Sequence, residues 1–449
     1  MARRFHIRTF GCQMNEHDSE RLAGMLRADG LEGTDDPETA DVIVLNTCCI
    51  RENADNRLYG HLGHLKALKD RRPDVQIAVG GCLAQKDRGD VRRRAGHVDV
   101  VFGTHNLAHA PALLDRARHE GPVVEILEEH AASAGTPPPA RASAHRAWVT
   151  IQIGCDNSCT FCIVPIVRGP EISRRLGDVV HEIEQLADDG VREVTLLGQN
   201  VNSYGRDLGA GQYRPRFADL LRAVDAVPGI RRIRFTSPHP KDLRPETIAA
   251  MAECAAVCEQ LHLPLQSGSD RTLARMHRGY TAARYLARLD AARRAIPDLA
   301  VTTDIIVGFP GETDADFEAT LAVVDAAAFD AAYTFIFSPR PGTPAAEARG
   351  EFVAPEVAQD RMRRLTAAVE RHALARHRGR VGRVEEILVD GPSKREPRRV
   401  SGRTRQGKLV HVDAGPGLAA GQLARVRITA AAPHWLAGER VPTIPVAAA

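Results

Sequence analysis

The sequence predicts an α/β protein in three parts: an open parallel α/β domain, a second series of β/α repeats, and a small antiparallel β-barrel at the carboxyl end. Three observations predict it. Short apolar runs alternate with helical patterns over roughly the first 120 residues, the signature of a parallel sheet with crossover helices. A Pro- and Ala-rich stretch without apolar period then intervenes, and the alternation resumes at Trp148. Beyond Arg376 the pattern changes to short strands separated by Gly and Pro, as in a small barrel.

In the first part (residues 1–120) the strand candidates are Phe5–Phe10, Val42–Leu45, Val75–Val79 and Val98–Val101, with helical patterns over Ser19–Asp29 and Asn53–Asp70. Parallel sheets present functional residues at the carboxyl ends of their strands. Three cysteines fall there: Cys12 in Thr9-Phe10-Gly11-Cys12-Gln13-Met14-Asn15, Cys48 in Asn46-Thr47-Cys48-Cys49-Ile50-Arg51-Glu52, and Cys82 in Gly80-Gly81-Cys82-Leu83-Ala84-Gln85. All three sit on polar or Gly-containing loops, whereas a cysteine used only for packing belongs in an apolar run. Three thiols without a fourth suit an iron-sulfur cluster with one open iron. Neighbours in an extended segment point in opposite directions, so Cys48 is expected to face the site; the part played by Cys49 stays open.

Residues 121–146 read as a connector, and residues 147–375 carry the second alternation. Its strand candidates are Trp148–Ile153, Glu193–Leu197, Ile230–Phe235, Leu261–Leu265, Val301–Val307 and Ala332–Phe337, with helical runs Val179–Asp188, Ala283–Ala295 and Asp316–Ala327 between them. Directly after the first strand comes Cys155-Asp156-Asn157-Ser158-Cys159-Thr160-Phe161-Cys162. Three thiolates on one short loop can hold three corners of a [4Fe-4S] cube and leave the fourth iron open to a small molecule. A structural zinc site wants four ligands, and no fourth Cys or His lies nearby.

This C-x3-C-x2-C loop, with Phe161 before its last cysteine, resembles the radical S-adenosylmethionine (SAM) enzymes. The resemblance implies that the open iron chelates the amino and carboxylate groups of SAM, and that an electron from the cluster cleaves SAM to a carbon radical. It also implies a partial (β/α)6 barrel with its chemistry at the carboxyl ends of the strands, as in full barrels. Several of those ends are rich in polar residues, Gly or Pro: Gly198–Asn202, Thr236–Pro240, Gln266–Ser269, Asp304–Glu312 and Ser338–Thr343. Together they form a candidate ring for SAM, with Phe161, Gln199, Asn200, Ser237, Asp304 and Ile306 as candidate contacts. By resemblance, the string from Asp304 packs on adenine and Phe161 lies beside cluster and cofactor.

His239 and His262 read as structural histidines, and Cys254 and Cys258, spaced i, i+4, as packing residues on one helix face. Arg168, Arg174 and Arg175 follow the cysteine loop, in a string similar to one in the methylthiotransferases, and are candidate phosphate contacts.

The three amino-terminal cysteine strings resemble the same methylthiotransferases, a radical-SAM branch that carries a second cluster, and the resemblance runs in order through nearly the whole chain. The last part, residues 376–445, resembles the TRAM domain, an RNA-binding module. Between Arg376 and Arg440, 14 Lys and Arg against 6 Asp and Glu give +8, which leaves −5 for the remainder of a chain that is +3 overall. Phosphate neutralisation gives that charge a use. Trp435 is the only aromatic after Phe352, so base stacking is not its main device.

The family implies methylthiolation of C2 of N6-isopentenyladenosine at tRNA position 37, with two [4Fe-4S] clusters and SAM. Carbon C2 of adenine is neither acidic nor electrophilic enough for ordinary polar substitution, hence the need for a radical. One SAM is expected to methylate sulfur at the cluster of Cys12, Cys48 and Cys82; a second, cleaved at Cys155, Cys159 and Cys162, gives the 5′-deoxyadenosyl radical. The partners implied are the tRNA anticodon stem-loop carrying isopentenyladenosine and an electron donor such as flavodoxin or ferredoxin. Close relatives act on threonylcarbamoyladenosine or on a ribosomal-protein aspartate; Asn46–Glu52 and Gly198–Asn202 look most like the isopentenyladenosine branch. A non-catalytic iron-sulfur RNA-binding protein or redox sensor is the rival from another class, and it has no need of polar strand ends. With no signal peptide or membrane span, a cytoplasmic monomer is expected, its nine cysteines serving as ligands or free thiols rather than disulfides.

Overall fold

The structure is a computed structural model, and it describes residues 2–49, 52–129, 137–209, 216–393, 396, 398–415 and 418–441. Residues 130–136 of the expected connector, Ile50 and Arg51 of the second cysteine string, and 442–445 of the last part lie outside the described residues. The chain divides into two compact units. One comprises Met1–Ala142, Ile153–Ser158 and Cys162–Ile172; the other comprises Ser143–Gln152, Cys159–Phe161 and Ser173–Ala449.

In the first unit six parallel strands, β1 (Arg4–Thr9), β2 (Glu32–Gly33), β3 (Val42–Thr47), β4 (Gln76–Gly81), β5 (Val100–Phe102) and β6 (Val123–Glu125), line up in the order β2-β1-β3-β4-β5-β6. Every residue of β3 and β4 is buried, as expected for a parallel sheet covered on both faces. Alternate side chains divide between those faces: Val42 and Val44 join Phe5, Leu22 and Leu26, while Ile43 and Leu45 join Leu58, Leu62, Ile77 and Val79. Burying one such aliphatic side chain contributes about 1.5–3 kcal/mol. The helix Gln13–Ala28 begins six residues before the apolar pattern suggested, because Asn15, His17, Asp18 and Ser19 are buried polar residues that mask the period. Strand β6 lies within the stretch that reads as a connector. Farther along, Pro138 packs its carbonyl where a Cβ on Gly24 would stand, and the Ala140 amide donates to the Glu20 carbonyl at 2.8 Å.

The strand order sets the position of the site. Strands β1 and β3 are neighbours although β2 falls between them in sequence, so the chain leaves them in opposite senses. Their carboxyl ends are therefore the switch point of the sheet, where parallel α/β folds bind ligands.

The second unit carries β7 (Arg146–Thr150); the short strands β8 (Gln152–Ile153) and β9 (Ile172–Ser173) flank the cysteine loop in sequence. The repeats follow as β10 (Glu193–Leu197), β11 (Arg232–Phe235), β12 (Gln260–His262), β13 (Ala300–Val307) and β14 (Ala331–Ile336). Two three-stranded parallel sheets, β11-β10-β7 and β12-β13-β14, are joined by a parallel bridge between Ile233 and Val257, which gives the partial (β/α)6 barrel. Its helices start where the sequence supplies caps. Thr313 and Asp316 form a reciprocal capping box ahead of Asp314–Ala327, and the Thr281 hydroxyl accepts from the Arg284 amide ahead of Ala282–Ala295. The helix Pro245–Glu253 stops short of Cys254, whose backbone is extended. Cys254 and Cys258 therefore do not share a helix face, though both are buried as packing residues.

Five strands close the carboxyl-terminal barrel: β15 (Val384–Pro392), β16 (Arg399–Thr404), β17 (Leu409–Asp413), β18 (Leu423–Ala431) and β19 (Leu436–Arg440), in the order β15-β16-β17-β19-β18. All neighbours are antiparallel except β17 and β19. A closed ring with an odd number of strands cannot alternate throughout, so one parallel pair is obligatory.

This small barrel is fastened to the amino-terminal ends of the central strands. Arg232, the first residue of β11 and fully buried, donates to the carbonyls of Arg403 (2.7 Å) and Glu386 (3.1 Å) and to the Glu386 carboxylate (3.0 Å). Arg405 pairs with Glu259, Lys408 with Asp330, and Arg380 and Arg383 with Asp298. Part of the carboxyl-terminal positive charge is therefore neutralised within the protein. The opposite end of the barrel is left for chemistry. Among the described residues no helix is long and apolar enough to cross a membrane.

Candidate active site

Cys12 caps the helix Gln13–Ala28 just after β1, Cys48 and Cys49 follow β3, and Cys82 opens the helix Cys82–Asp87 after β4. The structure brings all four together. Gly11 has φ +140°, and a Cβ there would lie 2.3 Å from the Cβ of Cys48, so only glycine lets the two loops approach this closely. Buried Asn15 and Asn46 lock them: the Asn15 amide donates to the Thr47 carbonyl (3.1 Å) and the Asn46 amide to the Asn15 carbonyl (2.8 Å). A hydrogen bond from Cys48 lowers the Cys12 thiol below its ordinary pKa, and one from Cys49 does the same for Cys82, while Cys49 itself is raised. Both Cys48 and Cys49 thus touch an expected ligand, Cys48 from one side and Cys49 from the apolar core on the other. Arg168, buried and ion-paired to Asp18 at 2.6 Å, places a positive charge that further lowers Cys12 and Cys82.

In the cysteine loop, the part belonging to the first unit is anchored by backbone. The Cys155 amide donates to the Gly169 carbonyl at 3.1 Å, and the Asn157 amide group donates to the Cys155 sulfur at 3.3 Å. Gly154, at φ +79°, has no room for a Cβ, which would stand 1.9 Å from the Pro170 carbonyl oxygen. In the second unit, the Thr160 amide donates to the Met276 carbonyl and its hydroxyl to the Arg275 carbonyl (2.9 Å), while its own carbonyl accepts from Ala345. The Cys159 sulfur accepts from Arg278 at 3.3 Å. Arg278 is buried; its other partners are the Tyr280 hydroxyl (3.1 Å) and the Pro264 carbonyl, with no carboxylate among its described partners.

The expected SAM contacts fall into three groups. Phe161 and Ile306 meet in one apolar cluster with Met276, Phe309, Phe337 and Ala345, the rings of Phe161 and Phe309 standing edge to face at 6.4 Å. Asn200 and Gln199 follow β10. Asn200 donates to the buried carboxylate of Asp242 at 2.9 Å, and that carboxylate is held below its usual range against burial by Lys241, Asn200 and Arg206. Ser237, after β11, has φ +58°. Asp304 is not at the strand end: it lies within β13, its carboxylate 3.4 Å from the His262 ring. Of the three arginines after the loop, Arg168 is in its buried ion pair and Arg174 donates to Glu182 and to the Thr150 carbonyl; Arg175 is exposed.

Family models match in the same order along the chain: "Uncharacterized protein family UPF0004" over residues 4–103, "Radical SAM superfamily" over 149–324 and "TRAM domain" over 378–441. A relative from Acidothermus cellulolyticus, named tRNA-2-methylthio-N(6)-dimethylallyladenosine synthase, is 55% identical over 446 residues, covering 98% of this chain and 88% of its own. One of the same name from Mycobacterium tuberculosis is 53% identical over 443 residues, 97% of this chain and 81% of its own. The chain belongs to this methylthiotransferase family. Among solved structures, the radical SAM methyltransferase TsrM from Kitasatospora setae, with cobalamin and a [4Fe-4S] cluster, superposes with TM-score 0.55 at 16% identity over 77% of each chain. The cobalamin-dependent radical enzyme OxsB gives 0.52 at 13%, over 80% of this chain and 56% of its own. At such identities the likeness speaks for the fold alone.

Membership of the radical SAM superfamily brings with it SAM and a [4Fe-4S] cluster. The loop residues fit that group. A buried Arg278 without a carboxylate partner is balanced if Cys159 is a thiolate, the form that binds iron. Among the described residues no three His, Cys, Asp or Glu side chains are placed to hold a single metal ion. A cube makes a different demand, since each thiolate takes its own iron at a separate corner.

Asn15, Asn46 and Asp18 lie within or near the polar strings that mark the cysteines, which is the signal for them. Arg278 had none, because nothing in its local sequence connects it with Cys159, 119 residues away.

Proposed function

We propose that this methylthiotransferase modifies C2 of N6-isopentenyladenosine at position 37 of tRNA, using one SAM as methyl donor and a second as radical source. The carrying observation is that one chain holds two sets of cysteines, each with a buried arginine at one or more of its members: Arg168 by Cys12 and Cys82 in the set Cys12, Cys48 and Cys82, and Arg278 by Cys159 of the loop. Cys155, Cys159 and Cys162 would hold one [4Fe-4S] cluster, and Cys12, Cys48 and Cys82 the other, with Cys49 as hydrogen-bond donor to Cys82. Bound, these groups supply a carbon radical at the loop and a sulfur to be methylated at the amino-terminal set.

The residues of this chain do the rest. Arg278 and Asn157 donate to loop sulfurs and so fix their orientation, and the charge of Arg168 favours the thiolate of Cys12 and Cys82, the form that binds iron. The aromatic group of Phe161, Phe309 and Phe337 excludes water beside the loop, while Gln199, Asn200 and Ser237 offer hydrogen bonds to the polar ends of SAM. Exposed Arg425 and Arg427 on β18 remain available for tRNA phosphate, outside the docking set. We place the enzyme in the cytoplasm as a monomer, with flavodoxin or ferredoxin as its reductant.

The test is an anaerobic assay of the reconstituted holoenzyme with SAM, reductant, sulfide and an isopentenylated anticodon stem-loop, followed by mass spectrometry of the nucleosides. The methylthio mass increment on isopentenyladenosine is expected. Formation of 5′-deoxyadenosine with unchanged RNA would sink the substrate while leaving the radical core in place.

A further inference from the structure

Strand β13 presents Thr302, Asp304 and Ile306 on one face, and Val301, Ile305 and Val307 on the other, which is packed into the core. On the first face Thr302 lies opposite His262 of β12, Asp304 opposite Tyr333 of β14, and Ile306 opposite Phe335. Ile306 belongs to the apolar group around Phe161, so this face runs down from the cysteine loop. One rung below Ile306 its character changes. His262 is bracketed by the Thr302 hydroxyl (2.9 Å) and the Asp304 carboxylate (3.4 Å), and its ring meets Tyr333 edge to face at 6.0 Å.

Three features separate this shelf from a structural hydrogen-bond network. Tyr333 is 57% exposed although its strand belongs to the barrel sheet, and its hydroxyl has no hydrogen-bond partner among the described residues. The second carboxylate oxygen of Asp304, Oδ1, likewise accepts nothing from the described residues, while its side chain is 28% exposed. The imidazole keeps both in place. A flat aromatic surface beside a fixed, unused carboxylate acceptor suits a planar base that stacks on one face and donates an N–H from its edge. An adenine alkylated on N6 retains one such N–H.

We propose that Tyr333 and Asp304, positioned by His262, hold an adenine base, and that this base is the target nucleoside of the RNA rather than the adenine of SAM. The proposal rests on the tRNA reading above. It deepens that reading by assigning the residues that present C2 to the radical. SAM is expected to occupy the strand ends one rung higher, beside Phe161 and Ile306.

The experiment uses reconstituted holoenzyme and the isopentenylated stem-loop, comparing wild type with Tyr333→Leu, Tyr333→Phe and Asp304→Asn. The stem-loop KM is expected to rise about tenfold or more in Tyr333→Leu, the usual cost of losing one stacked base, and to stay near wild type in Tyr333→Phe, which keeps the ring. Asp304→Asn is expected to raise it about tenfold through loss of a charged acceptor. In each affected variant the Kd for SAM should move much less than that for the stem-loop. A larger loss of SAM affinity than of stem-loop affinity would give the shelf to the cofactor and overturn the proposal. So would unchanged stem-loop kinetics in both Tyr333→Leu and Asp304→Asn. A wild type that leaves the stem-loop unmodified is a failure of the tRNA reading itself, and is seen before any variant is made.

Discussion

The two sets of cysteines arrive at the same number of donors by opposite routes. Cys155, Cys159 and Cys162 occupy eight consecutive residues, so chain connectivity alone keeps them close, and two of the three remain partly exposed. Cys12, Cys48 and Cys82 come from three strands, and Cys48 and Cys82 are buried. They meet only because the sheet runs β1-β3-β4 and because Gly11 lets the first two loops touch. The first set is a property of a loop, the second a property of a topology. A site of the second kind tolerates less change in its surroundings, since moving any one strand end removes a donor.

The largest effect should come from the loop. Cys155→Ala is expected to abolish both 5′-deoxyadenosine and methylthiolated product, read by liquid chromatography of the reaction mixture. Next, Cys12→Ala should abolish the methylthio product while 5′-deoxyadenosine continues to form; loss of both would show that the two sets do not work separately.

A smaller effect tests the pair at the end of β3. Cys48→Ala should behave like Cys12→Ala, whereas Cys49→Ala, removing only a donor to Cys82, should lower product about tenfold, the scale of losing a contact that orients a ligand. The reverse order would exchange their roles.

The smallest effect concerns stability around the barrel mouth. Burial and the nearby Arg278 press the His239 ring down to about 2, and its Nδ1 accepts from the Lys241 amide, so it is neutral in the folded state. Below the ordinary imidazole value the unfolded chain takes up a proton that the folded one refuses. Stability is therefore full above about pH 6.5 and should fall by at most about 1.4 kcal/mol per pH unit below it. His239→Gln should flatten that acid slope in thermal unfolding measured from pH 7.5 to 5; an unchanged slope would mean that other groups set it.

Much of this was legible in the sequence, for physical reasons that differ by region. The cysteine loop was legible because its chemistry is local. Most of the barrel strands were legible as apolar or alternating runs followed by a polar or Gly-rich turn, although β11 itself reads Arg-Ile-Arg-Phe. The start of the helix Gln13–Ala28 is not legible, because its first turns bury the polar residues Asn15, His17 and Asp18 against the apolar period. Strand β19 carries no apolar run in sequence: Leu436–Arg440 has a single large apolar residue and relies on its neighbours in a closed ring. Arg405 lies in the stretch whose charge reads as RNA-facing, and Arg232 lies in a strand candidate, yet both fasten the small barrel to the central one through carbonyls that no sequence pattern marks. Long-range partners are what the linear pattern lacks.

The measurement closest to the central claim is the iron and labile sulfide content of anaerobically reconstituted protein, with electron paramagnetic resonance of the reduced state. Two cysteine sets that each hold a cube predict about eight irons per chain in the wild type and about four when Cys155, Cys159 and Cys162 are all replaced by Ala. The remaining signal should then vanish on adding Cys12→Ala. A wild type holding about four irons, or a loop variant holding none, would contradict two independent sites.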